Sequence, residues 1–97
     1  LKFVATHLGA WQQWDEVRRY IMGRDIDMEI SFAVQDLGLE QTREIILCHP
    51  DAHVLFGTDS PWTDQAETLN LVKKMGFPQE KLTRILADNA IRLLAPA

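Results

Sequence analysis

Val54-Leu55-Phe56-Gly57-Thr58-Asp59-Ser60-Pro61-Trp62 is the stretch from which the fold of this chain is read. Val54 to Gly57 are mostly apolar and read as a short buried strand. Pro61 ends it, because proline has no N–H to give to a ladder. Asp59 is left at the strand's C-terminal lip, beside two hydroxyls and a tryptophan. Parallel α/β folds place their chemistry at that lip. Alternation along a strand groups Asp59 with Gly57 and Leu55, and turns Val54, Phe56 and Thr58 the other way. A carboxylate above a glycine has open space beneath it. Asp-Ser-Pro ahead of a periodic segment is also a helix start, so Asp59 carries two readings, a helix cap or a functional carboxylate.

Upstream of this stretch, Lys2 to Leu8 is β-prone and ends at Gly9, a strand followed by a turn. From Ala10 to Met22, Trp11, Trp14, Val17 and Ile21 recur at helical steps, and Gly23 supplies the stop. Asp27 to Ala33 alternates, with Met28, Ile30 and Phe32 on one face, a strand that could also lie at a half-exposed edge. Glu40 to Cys48 reads as a short helix closed by His49-Pro50. Downstream, Thr63 or Asp64 can cap a helix running to about Met75, with Ala66, Leu69, Val72 and Met75 as its apolar positions. A last helix opens at Pro78, with Leu82, Ile85, Leu86 and Leu93 as its stripe. Asn89 falls on that stripe and reads as a structural residue hydrogen-bonding the helix to a loop.

The order β-α-β-α-β-α-α demands crossovers, so the three strands are expected to be parallel and helix-covered, in one α/β block over residues 1–97. Three such units make less than half of a (β/α)₈ barrel, which needs about 250 residues. The strand ends His7, Ser31 and Asp59 recur at steps close to the length of a βαβ unit.

The chain has 97 residues, 46% of them hydrophobic and 25% charged, with a net charge of −4. That balance argues against a phosphate-tracking nucleic-acid surface. No apolar run approaches a membrane span. A single cysteine, Cys48, excludes an internal disulfide and CxxC-type metal or redox motifs, and a reducing, cytoplasmic setting is expected. A first residue of Leu1 leading straight into a strand suggests a piece of something longer.

His7 ends its strand as Asp59 does, so both side chains are expected at one rim. There an imidazole and a carboxylate can bind one divalent metal or act as base and acid. Two ligands fall short of the three that a catalytic zinc usually takes from protein. His49 and His53 flank Pro50 ahead of the last strand, at the opposite end, and read as exposed loop histidines. Trp11 and Trp14 read as core, and Cys48 as a small buried hydrophobe.

Phe-Val-Ala-Thr-His-Leu-Gly (3–9), Ser-Phe-Ala (31–33), Leu-Phe-Gly-Thr-Asp-Ser-Pro-Trp (55–62) and Asp-Asn-Ala-Ile-Arg-Leu-Leu (88–94) together resemble the C-terminal part of the amidohydrolase-related family. These are TIM-barrel, metal-dependent hydrolases and decarboxylases. The resemblance implies that the three strands are the sixth, seventh and eighth of the barrel. It makes Asp59 a metal ligand, usually for zinc, that handles the proton of the attacking water. It makes His7 a residue beside the metal that orients water or substrate. It gives Asn89 a packing role in the closing helix, and Trp62 a place in the loop beside the pocket, where it would shape substrate access; the residue by itself reads as a cover for the core, which is the expected role.

Two departures stand against the pattern. Glu29-Ile30-Ser31 replaces the Asp-Thr-Ser common on the seventh strand, which argues against a substrate-facing role there. The first-strand His-x-His pair and the fifth-strand ligand have no counterpart in these residues. The expected function is therefore that of a metal-dependent amidohydrolase acting on small carboxylate, amide or ester substrates, inactive as these 97 residues alone. The alternative is a non-catalytic α/β module that self-associates through exposed edge strands. The expected partners are accordingly further copies of the chain, or another chain supplying the missing strands.

Overall fold

The computed structural model describes residues 1–96. Three short strands, β1 (Val4–Ala5), β2 (Asp27–Glu29) and β3 (Val54–Leu55), form a parallel sheet in the order β1-β2-β3. Ala5 pairs with Met28, and Met28 with Val54, so β2 is the central strand and not an edge. Helices α1 (Trp14–Tyr20), α2 (Ala33–Leu37) and α3 (Leu39–Cys48) occupy the crossovers, and α4 (Gln65–Lys73) follows β3. The chain closes with α5 (Gln79–Thr83), a π-helical segment (Arg84–Asp88) and α6 (Asn89–Leu94). The mixed α/β class with a parallel three-stranded sheet is as expected from the sequence.

Met28, Ile30 and Val54 are fully buried in one cluster with Val17 of α1, Ile45 and Ile46 of α3, Val72 of α4 and Ile85 of the last helix. Burying side chains of this size contributes about 1.5–3 kcal/mol each before the entropy of ordering is counted. Several boundaries differ from the periodicity. The first helix starts at Trp14 rather than Ala10, because Gln12 takes a left-handed backbone (φ 58°) that no α-helix contains. Gly38 (φ 101°) separates α2 from α3 where only one helix was expected. On α4, Thr68 is buried and Ala66 is exposed: Thr68 sends its hydroxyl to the Asp64 carbonyl and accepts from Gln35.

The π segment has a specific consequence for the sheet. Asn89 N–H bonds the Arg84 carbonyl, five residues back, and the Ile85 carbonyl accepts from Phe56 N–H at 3.0 Å. The Asn89 side chain, on a residue only 4% exposed, donates to the carbonyls of Asp51 at 2.7 Å and Val54 at 2.9 Å. Leu55 faces β2, with its carbonyl accepting from Ile30, so Val54 and Phe56 point their backbone groups outward. The last helix therefore satisfies the outer edge of β3, which the sequence leads one to expect as raw. Among the described residues, only β1 keeps an open edge. Also among them, no helix is long and apolar enough to cross a membrane.

Candidate active-site cleft

All three strands leave the sheet through a residue with left-handed backbone that is not glycine. His7 follows β1 (φ 52°), Phe32 follows β2 (φ 63°) and Asp59 follows β3 (φ 53°). Such conformations cost of order 1–3 kcal/mol each and persist only where surrounding structure holds them. Here they turn the chain away sharply, so that short strands deliver side chains to one rim. An open cleft of about 390 Å³ at that rim is lined by Thr6, His7, Glu29, Ser31 and Asp59. His7 and Asp59, paired from sequence, thus share one cleft.

Asp59 does not cap the helix that follows. Asp64 does, accepting the backbone N–H of Glu67 at 3.0 Å, and Asp59 remains exposed to solvent. Among the described residues the Asp59 carboxylate has no hydrogen bond and no ion pair with another side chain. Its free oxygens suit it to bind an ion, a water or a substrate proton.

His7 is held from several sides. Its Nδ1 lies 3.0 Å from the Ser31 carbonyl and 2.8 Å from Ser31 Oγ. Its ring meets Phe32 and Trp11 edge-on, with centroids 5.3 and 5.9 Å away, and Trp11 meets Phe32 at 5.4 Å. Trp11 is therefore a wall beside the histidine and half exposed, not the core residue expected from its spacing. Trp14 does pack against the core, and its indole N–H donates to Asp36 at 3.0 Å.

Glu29, part of the departure that argued against a substrate-facing role for its strand, lines the cleft. Its Oε1 accepts the backbone N–H of His7 at 3.0 Å, its Oε2 accepts that of Ser31 at 3.0 Å, and Ser31 Oγ–H also bonds Oε1. The carboxylate lies over Gly57, where an added Cβ would sit 2.0 Å from Oε2. The open space expected beneath Asp59 is thus filled by Glu29. The departure Glu29-Ile30-Ser31 does not remove this strand from the cleft, because both polar residues line it. The available signal was the alternation itself, since Glu29 and Ser31 fall on the face opposite buried Met28 and Ile30.

The remaining histidines lie at the other end of the sheet. His49 is buried, 3% exposed, rather than exposed as expected: its Nδ1 accepts Gly23 N–H at 3.1 Å, and its Nε2 lies 2.8 Å from the Ile26 carbonyl. Burial holds its pKa below the usual imidazole value, against the opposing pull of that carbonyl. His53 Nδ1 contacts Asp27 Oδ1 at 2.9 Å, an oxygen that also receives Arg92 at 3.0 Å. Trp62 is 77% exposed and covers no core, and Cys48 is exposed rather than buried. The loop at Trp62 is tied down by its backbone, with Trp62 N–H bonding the Asp59 carbonyl.

An imidazole and a free carboxylate are the right kinds of donor for a divalent ion, but two fall short of a catalytic zinc's three. Among the described residues no three His, Cys, Asp or Glu side chains come close enough together to hold a metal. These residues by themselves do not fit a complete metal site. Comparison with protein-family models, with curated proteins and with solved structures finds no match to this chain.

Proposed function

We propose that this chain is the rim-bearing C-terminal part of an amidohydrolase-type (β/α)₈ barrel, its strands being the sixth, seventh and eighth. The activity is hydrolysis or decarboxylation of a small carboxylate, amide or ester once the remaining strands are supplied. One observation carries the reading: His7, Glu29, Ser31 and Asp59 line a single cleft beyond the C-terminal ends of three adjacent parallel strands. Chemistry in parallel α/β folds gathers at that end. Asp59, with its oxygens unengaged, is the proton acceptor for an attacking water. His7 orients the water or substrate against it. The further ligands that a zinc ion requires come from outside these residues.

A second reading rests on a different observation. Among the described residues β1 has an open edge, and Leu1 and Phe3 next to it in the chain are exposed. An unpaired edge flanked by apolar side chains favours pairing with another chain. In that case the chain is a non-catalytic module whose role is association.

Native mass spectrometry with added zinc chloride separates the two, comparing the wild type with Asp59→Asn and His7→Gln. The catalytic reading expects an assembly carrying zinc, with the metal lost in either variant. Assemblies free of metal in all three proteins would leave association as the function. A metal-free monomer would overturn both.

A further inference from the structure

We infer that Glu29 and Ser31 lock His7 as its Nδ1–H tautomer, so that Nε2 is left as its accepting nitrogen. The argument follows the protons. The Ser31 carbonyl, 3.0 Å from Nδ1, can only accept. Ser31 Oγ, 2.8 Å from Nδ1, has one hydrogen, and that hydrogen goes to Glu29 Oε1. Oγ therefore turns a lone pair toward the ring. Both atoms facing Nδ1 are acceptors, and Nδ1 must carry the proton.

Glu29 makes the arrangement one-way. It is 3.9 Å from Nδ1 and acts through Ser31, so it is a positioning residue. Its carboxylate accepts from the Ser31 hydroxyl and is anchored by the backbone N–H groups of both His7 and Ser31. It reaches that place because residue 57 has no Cβ. Free histidine in water prefers the opposite tautomer, so the site reverses the intrinsic preference of the ring.

The consequence narrows the role of His7 in the cleft. A neutral His7 offers Nε2 as a lone pair, able to take a proton, accept from a water or hold a divalent cation. It cannot donate to a substrate carbonyl unless it is first protonated. Of the two roles open to it, orienting water and orienting substrate by donating to its carbonyl, the structure assigns the first. This inference rests on reading the cleft as catalytic, but the tautomer itself is observable without metal, partner or turnover.

Long-range ¹H–¹⁵N correlation of the labelled protein, at alkaline pH where the imidazoles are neutral, reports which nitrogen of each ring is protonated. The three histidines are few enough to assign by the signal lost in His7→Gln. The expected result is a protonated Nδ1 and a bare Nε2 for His7. In Glu29→Gln and in Gly57→Ala, which displaces the carboxylate by an independent route, the Nδ1–H fraction should fall, because the Ser31 carbonyl alone then holds that proton. Dispersed amide spectra establish that each variant is folded. A wild-type His7 protonated on Nε2 overturns the inference outright. An Nδ1–H fraction unchanged in both folded variants removes Glu29 from it. A locked Nδ1–H tautomer in a protein that binds no zinc would sink the catalytic reading and leave the positioning intact.

Discussion

Replacing Gly57 with alanine places a methyl carbon 2.0 Å from Oε2 of Glu29, a separation that real contacts do not show. The backbone itself can accept alanine, since Gly57 lies outside the left-handed region. In the absence of a clash, alanine would stabilise by about 0.4–1 kcal/mol through the unfolded state. The carboxylate must move, and it abandons three donors: His7 N–H, Ser31 N–H and Ser31 Oγ–H. Hydrogen bonds to a charged group contribute about 1.5–3 kcal/mol each. Water recovers part of this, because the Glu29 side chain is 14% exposed and opens on the cleft. Ser31, 2% exposed, is reached poorly by water and keeps most of its loss. The net cost is about 2–3 kcal/mol, and the melting temperature should fall by roughly 10–20 °C for a domain of this size. Urea unfolding followed by tryptophan fluorescence measures it directly. The same substitution in a Glu29→Ala background meets no carboxylate and should be close to neutral, so the double-mutant cycle carries the proof. A neutral Gly57→Ala, or full additivity with Glu29→Ala, would refute the account.

Two further outcomes follow from the structure. Asn89→Ala removes both side-chain donors to the Asp51 and Val54 carbonyls and opens the outer edge of β3, and should cost about 2–3 kcal/mol; a loss below about 0.5 kcal/mol in urea would show that the edge is satisfied without it. His49, whose folded pKa is depressed by burial, stays neutral in the folded state at pH values where the unfolded chain already binds a proton. Its contribution to stability is therefore complete above its ordinary value of 6.5 and declines as pH falls from there toward the folded pKa. Unfolding free energies measured across that interval should slope for the wild type and lose part of the slope in His49→Gln; identical slopes would exclude His49 as the cause.

Much of the architecture was legible because it depends on local pattern. The alternation of Met28 and Ile30 marks β2, the Val54–Gly57 run marks β3, and the spacing of Trp14, Val17 and Ile21 marks α1. His7 and Asp59 could be paired because turn-forming residues follow both at equivalent strand ends. Asn89 could be read as structural because an amide on an apolar stripe must find acceptors. What alternation cannot reveal is which side chain fills a space opened on a neighbouring strand. Glu29 and Gly57 are 28 residues apart, and they meet only because β2 and β3 pair with Glu29 opposite Leu55.

The same limit explains the residues whose surroundings were misread. Trp11, Trp62, His49 and Cys48 sit at or beyond the ends of elements, where period says nothing about burial and the approach of distant segments decides it. His49 is buried because Gly23 and Ile26, distant in the chain, close on it. The outer edge of β3 is covered because one π turn places Asn89 and the Ile85 carbonyl against it. Local chemistry in the chain thus specified the strands, most of the helices and the two ends where His7 and Asp59 stand. The carboxylate over Gly57, the proton order at His7 and the capped edge of β3 were decided by packing, because each depends on atoms that only the assembled sheet brings within hydrogen-bonding distance.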